Sequence, residues 1–327
     1  MMLARTAQRV EEMADFHAEV HRPVMAREVR DLLVPRAGDV LVDATLGAGG
    51  HAESLLEEVG PQGRVYGIDR DLESLRSATR RLAHFGECFV PVHGNHADIR
   101  QILAGLGVDA VDGVVADLGV SSVQLDSAER GFSFLRDGPL DMRMDRSRGP
   151  SAADLLAALS ETELTRVLRS HGEERKAASL ARAIVRERAV RPIRTTLHLA
   201  EIVERVLGPA ARQYRIHPAT RTFQALRIAV NGEIQSIHGL IEGAVSSLRS
   251  GRRLAVISFH SLEARAVKEE FRALAVRCVC PPGLPVCGCG RANLVRIVTP
   301  HALAPSPEEV QRNPRARSAQ LRAVERL

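Results

Sequence analysis

The sequence predicts an open α/β fold with a seven-stranded sheet and an inserted all-helical subdomain. Three observations carry that reading. Apolar runs of strand length alternate with helical segments over residues 39–117, the alternation stops over 124–217, and it resumes at 219 to end in two further strand-like runs.

The strands expected in the first half are 39–44 (DVLVDA), 64–69 (RVYGID), 89–93 (FVPVH) and 111–117 (VDGVVAD), with helices near 50–59, 71–84 and 97–106 between them. A helix between successive strands is the crossover that parallel pairing needs. The segments 151–170 and 173–189 carry apolar residues at helical spacing. Roughly 90 strand-free residues exceed an ordinary crossover, so 124–217 reads as an inserted helical domain for substrate recognition. A helix near 219–248, a strand at 253–259 and a helix near 261–275 restore the rhythm. The last strands are 294–298 (LVRIV) and 317–325 (RSAQLRAVE), the second alternating like a half-exposed edge strand. The expected division is therefore a tail or helix over 1–20, a sheet domain from 21–123 and 218–327, and the insertion.

With 327 residues and 45% hydrophobic content the chain can bury a sizeable core. No run of about 18 apolar residues is present, and the N-terminal stretch mixes both charge signs, so a cytoplasmic protein without a membrane partner is expected. A net charge of +5 suits a polyanionic partner without requiring one. With no Trp and two Tyr, base stacking has to fall to a few Phe residues.

The stretch "LVDATLGAGGHAES" (41–54) holds Gly47, Gly49 and Gly50 between a strand and a helix, where missing Cβ atoms and free amides admit a ligand. Asp69 closes the next strand 22 positions after Gly47, placed to accept both ribose hydroxyls. A nicotinamide cofactor and S-adenosylmethionine fit this pattern equally, and a tight turn without a ligand remains a third reading. Asp43 favours S-adenosylmethionine, since an acid before the turn attracts an ammonium and repels a pyrophosphate. His51 touches the ligand carboxylate or caps the helix; His96, after the third strand, stacks on an adenine or faces solvent.

Asp117 ends the fourth strand, where ligands of open α/β sheets bind. Capping of the next helix is the plain structural alternative. As an acceptor for the N–H protons of an exocyclic amine, Asp117 would orient that amine and favour the tetrahedral nitrogen reached on methyl transfer, with no metal required.

The motifs "HRPVM" (21–25), "DATLGAGGH" (43–51), "DLGVSS" with "QLD" (117–126), "ERGFSFLRDGPLDMRMD" (129–145), "GEER" (172–175), "HPATRTFQALRIAVNGE" (217–233), "SFHSLE" (258–263) and "NPRARSAQLR" (313–322) together resemble the bacterial 16S ribosomal RNA cytosine-N4-methyltransferase family, RsmH or MraW, over about 21–327. The resemblance implies a class I S-adenosylmethionine-dependent methyltransferase with a Rossmann-like sheet. It also implies a cytosine of the small-subunit decoding centre as substrate, 16S rRNA as partner, and a homodimer as a possible assembly. The cofactor contacts it implies are Gly49, Gly50, His51, Asp69, His96, Asp117 and Gln124.

The loop "GFSFLRDGPLDMRM" offers Phe132 and Phe134 beside Arg136, Asp141 and Arg143. It is expected either to close over a flipped cytosine, with a ring on its face, or to pack the insertion onto the sheet. Arg221 and Asn231 are expected to face the cleft, Arg221 toward phosphate, and the basic segment 174–194 to track an RNA backbone. Ser258, His260 and Glu263 crowd together in "SFHSLE", but no nucleophile-elbow glycines flank the serine, so Ser258 and His260 read as RNA or loop contacts and not as a hydrolase triad. Cys278, Cys280, Cys287 and Cys289 form a C-x-C…C-x-C cluster, read as reduced thiols, with structural zinc as the other reading. A nicotinamide oxidoreductase and a non-catalytic ribosome-assembly factor are the rival functions.

Overall fold

The structure is a computed structural model that describes residues 23–208, 217–276 and 293–327. The cysteine cluster and residues 1–20 lie outside the described residues.

Seven strands form one sheet: β1 (Val40–Asp43), β2 (Arg64–Asp69), β3 (Phe89–His93), β4 (Val111–Asp117), β5 (Leu248–Ser258), β6 (Val295–Ile297) and β7 (Gln320–Arg326). Their spatial order is β3-β2-β1-β4-β5-β7-β6. The first five pair in parallel, and β7 runs antiparallel to both β5 and β6. Helices cover both faces, so β4 is buried along its length up to Asp117. Val114 and Ala116 point into one core with Leu240 and Val267, and Val115 points into the other with Leu55 and Leu56.

Two expectations change. The alternating strand near the C-terminus is β7, which lies inside the sheet with partners on both sides, and the three-residue β6 is the edge. The helix expected over 219–248 is two helices, Thr220–Asn231 and Glu233–Ser247, divided at Gly232, whose φ of 59° ends one and starts the other.

Between β4 and β5 the chain builds helices Ala152–Ala158, Glu161–Gly172, Ala177–Val190 and Thr196–Leu207, which close around their own apolar cluster of Leu156, Leu164, Leu168, Leu180, Ile184 and Leu199. Ser151, Ser160 and Thr195 cap three of them, so their boundaries follow local sequence. Among the described residues no helix is long and apolar enough to cross a membrane.

The helical block is fastened to the sheet by Arg130, which is 1% exposed. Its guanidinium donates to Asp71 Oδ2 at 2.8 Å and Glu73 Oε2 at 3.0 Å on one side, and to the carbonyls of Arg143 and Met144 at 3.0 and 3.1 Å on the other. A buried charge of this kind is costly to leave half-paired. Arg130→Ala is expected to lower unfolding free energy by about 3–5 kcal/mol in urea denaturation. Arg130→Lys should recover little of that loss, because a single ammonium cannot serve partners spread around a planar fork.

Candidate functional site

The strand order reverses at the β1/β4 boundary, and open α/β sheets bind ligands there, beyond the carboxyl ends of the strands. A cavity of about 360 Å³ lies at that position. Of the residues expected to hold a cofactor, Gly47, Gly50, His51, Asp69, His96, Asp117 and Gln124 line it.

Asp69 ends β2 and is aimed by backbone amides: Gly47 N–H donates to Oδ2 at 2.8 Å and Asp71 N–H to Oδ1 at 2.8 Å. Burial pushes its carboxyl up to about 6, against the pull of those amides. His96 accepts or donates at 2.9 Å with Ser236 Oγ, and burial together with the charge of Arg70 holds it down at about 3, so the ring is neutral. Gln124 is buried and spends both ends on the protein, donating to Asp71 Oδ2 at 2.7 Å and accepting from Ser121 N–H at 3.0 Å.

Asp117 ends β4 with its N–H bonded to Thr45 Oγ1 at 2.6 Å. Among the described residues its Oδ1 has no hydrogen-bond partner, and its Oδ2 stands 3.6 Å from His51 Nε2, at ion-pair range but too long for a hydrogen bond. His51 is 5% exposed and does not cap its helix, whose N-cap is Gly49. Burial lowers its pKa, but the charges of Asp117 and Asp43 outweigh that and leave it raised.

Two residues of the glycine turn have different work from that expected. Asp43 is 1% exposed and is not among the residues lining the cavity: its oxygens accept the N–H groups of Thr45 and Ala52, both at 3.1 Å, so the carboxylate shapes the turn. Gly49 also stands behind the wall. Its φ is +83°, and a Cβ there would press on Leu82 and Ala78 at 3.1 and 3.2 Å, so packing and backbone conformation both require glycine.

The substrate-side residues expected from the sequence do not line the cavity. Phe132 belongs to the helical core, and Phe134 packs against His217 and Phe223, with ring centroids 4.5 and 4.9 Å apart. Packing of the insertion, not a clamp on a base, accounts for both rings. Arg143 forms a two-pronged pair with Asp141 at 2.7 and 3.0 Å, and Arg136 is exposed on the loop. Arg221 is exposed and donates to the Glu173 carbonyl. Asn231 pins that loop, donating to Met142 O and accepting from Met144 N–H, both at 2.8 Å. Ser258 is buried and donates to the Gln320 carbonyl, while His260 caps helix Ser261–Ala275.

In their place the cavity wall carries Arg227, Glu233, Phe259 and Glu263, with Asn313 and Arg315 from the C-terminal segment. Arg227 is bonded to both oxygens of Glu233 at 2.9 and 2.8 Å. Glu263 stays well ionised despite burial because His260 and Arg227 stand beside it. Glu233, His260 and Glu263 lie close enough together to share a cation, but their charges are already answered by Arg227 and by one another. The Arg227–Glu233 pair spans the Gly232 break, which helical spacing alone does not reveal.

The sequence profile of the MraW methylase family matches residues 18–327. The chain is 51% identical over 315 residues, 96% of its length and 100% of the relative's, to a protein of Trichlorobacter lovleyi named ribosomal RNA small subunit methyltransferase H. It is 53% identical over 307 residues, 94% and 99% of the two lengths, to the protein of that name from Geobacter sulfurreducens.

The His51–Asp117 contact makes a testable claim in the free protein. Followed by NMR, His51 is expected to titrate above the ordinary histidine value, and below it in Asp117→Asn, where desolvation is left without the charge that opposes it most. An unchanged midpoint in the variant would show that the two side chains do not interact.

Proposed function

This chain belongs to the MraW methylase family, and on that premise we propose that it transfers a methyl group from S-adenosyl-L-methionine to the exocyclic N4 amine of a cytosine in the decoding centre of 16S ribosomal RNA. The observation that carries the chemical half of the proposal is the place of Asp117 at the carboxyl end of the central strand, where it lines the cavity with an Oδ1 that has no hydrogen-bond partner among the described residues.

The residues present fit the cofactor. Asp69 is fixed by two amides with lone pairs left over for ribose hydroxyls. Gly47 brings bare backbone to the wall: a Cβ there would stand 3.7 Å from that of Ser121 across the cleft. Neutral His96 offers a ring to the adenine side without adding charge. Bound there, S-adenosylmethionine supplies an electrophilic methyl group and a neutral thioether as leaving group.

Asp117 does the positioning. With Oδ2 turned to His51, Oδ1 accepts one N–H of the amine, which draws the nitrogen lone pair out of conjugation and aims it. Once the nitrogen is methylated it sheds a proton, and Oδ1 is the acceptor already in contact with it. The helical block over 124–217 is proposed as the substrate-recognition unit. Helix Ala177–Val190 exposes Arg182 and Arg186, and Arg191 and Arg194 follow it, a row of cations suited to phosphate. The small ribosomal subunit or its RNA, met in the cytoplasm, is the partner in this reading. The oxidoreductase and assembly-factor alternatives have no support among the relatives.

Labelled S-adenosylmethionine incubated with undermethylated small subunits tests the proposal, the modified base being mapped by nuclease digestion and mass spectrometry. Asp117→Asn is expected to lower kcat on the order of 10²-fold or more while S-adenosylhomocysteine still binds; undiminished turnover would remove Asp117 from the chemistry. Because Asp69 must be ionised to accept two hydroxyls, affinity for S-adenosylhomocysteine should be full above its folded value of about 6 and fall as pH drops through it. Calorimetric titration across that range, with Asp69→Asn showing weak and pH-flat binding, checks the assignment.

A further inference from the structure

We infer that Phe259 is the face against which the target base lies while its amine is held at Asp117. The inference rests on the methyl-transfer reading above and goes beyond it by naming the residue that recognises the base.

The sheet register brings the two residues together. Asp117 pairs with Ile257, and Leu118 N–H donates to the Ile257 carbonyl at 3.0 Å. Phe259, two residues beyond Ile257, thus stands beside Gly119, two residues beyond Asp117. A Cβ built on Gly119 would lie 3.6 Å from Phe259 Cδ2, and the φ of +99° at Gly119 favours the residue that has none. The backbone of Phe259 is held in turn, its N–H donating to the buried Glu263 Oε2 at 2.8 Å.

Phe259 is the one phenylalanine of the described residues that lines the cavity. The ring–ring contacts among those residues involve Phe85, Phe134 and Phe223 with His84 and His217, so Phe259 has no aromatic partner of its own. The half-buried ring packs against the apolar cluster that holds Ile257 and Leu321 and also lines the cavity with Asp117, Arg227 and Glu263, an apolar surface beside polar groups and so the complement of a flat heteroaromatic ring with a polar edge. Sheet order separates it from the cofactor side. Asp69 ends β2, on one side of Asp117, and Phe259 follows β5, on the other.

The test compares Phe259→Ala, Phe259→Leu and Phe259→Tyr on undermethylated small subunits at saturating labelled S-adenosylmethionine, with calorimetric binding of S-adenosylhomocysteine and thermal melting for each. The expected result is a kcat/KM lower by about ten- to a hundredfold in the alanine variant. The leucine variant, which keeps bulk without a π face, should lose most of the same activity, and tyrosine should restore most of it. Affinity for S-adenosylhomocysteine should stay within about threefold of wild type. Should the alanine variant melt early, the leucine variant decides the question. Wild-type kcat/KM in Phe259→Leu would overturn the inference, as would a loss matched by weakened S-adenosylhomocysteine binding, which would move the ring to the cofactor. Wild-type protein that transfers no methyl group would instead overturn the methyl-transfer reading, and this inference with it.

Discussion

The buried guanidinium of Arg130 ties the site together. It binds Asp71 on the sheet side and the Arg143 and Met144 carbonyls on the helical side, so neither half of the molecule closes the cleft without the other. Asp71 passes the constraint on. Its N–H fixes Asp69 Oδ1, and its Oδ2 receives Gln124 as well as Arg130. On the far side Asn231 clasps Met142 and Met144, and its own carbonyl receives Arg70, the neighbour of Asp69. Asp69 and the Met142–Met144 loop therefore belong to one hydrogen-bonded circuit.

Such a circuit is worth its desolvation cost when placement matters more than stability. A buried ion pair contributes little net free energy compared with apolar packing, but it admits few alternative arrangements when its acceptors are fixed on separate segments. Arg130 serves four acceptors from one plane, and Met142 accepts a left-handed φ of 61° inside the loop so that its carbonyl reaches Asn231. That backbone strain is local, and Asn231 contacts the loop twice to hold it.

Legibility in the sequence followed the range of the interactions. Asp69, Asp117 and the Gly47 turn were readable because strand ends and strand-to-helix turns are local events, and the topology of the sheet then places them together. Arg130 and Arg227 carry no such local mark, because a charged residue that folds against partners about sixty or six positions away looks like any surface arginine. Phe132 and Phe134 illustrate the converse. An aromatic residue in a loop carries no mark of whether its ring will meet a ligand or a core, and here the helical cluster claims both. Asp43 stands where a ligand-binding acid would stand, yet its two oxygens accept turn amides and it lies outside the cavity lining.

The charge pattern explains why the turn needs an imidazole beside it. Asp43, Asp69 and Asp117 end three neighbouring parallel strands, and burial, the largest cause, pushes the first two up to about 6 against nearby hydrogen bonds and positive charge. Left unanswered, each such charge would raise its neighbours further and part of the site would hold protons in place of ligand. His51 stands between Asp43 and Asp117, and its positive form offsets both without reaching Asp117 Oδ1. It thereby brings positive charge to an acidic pocket while leaving Asp117 Oδ1 without a hydrogen-bond partner among the described residues.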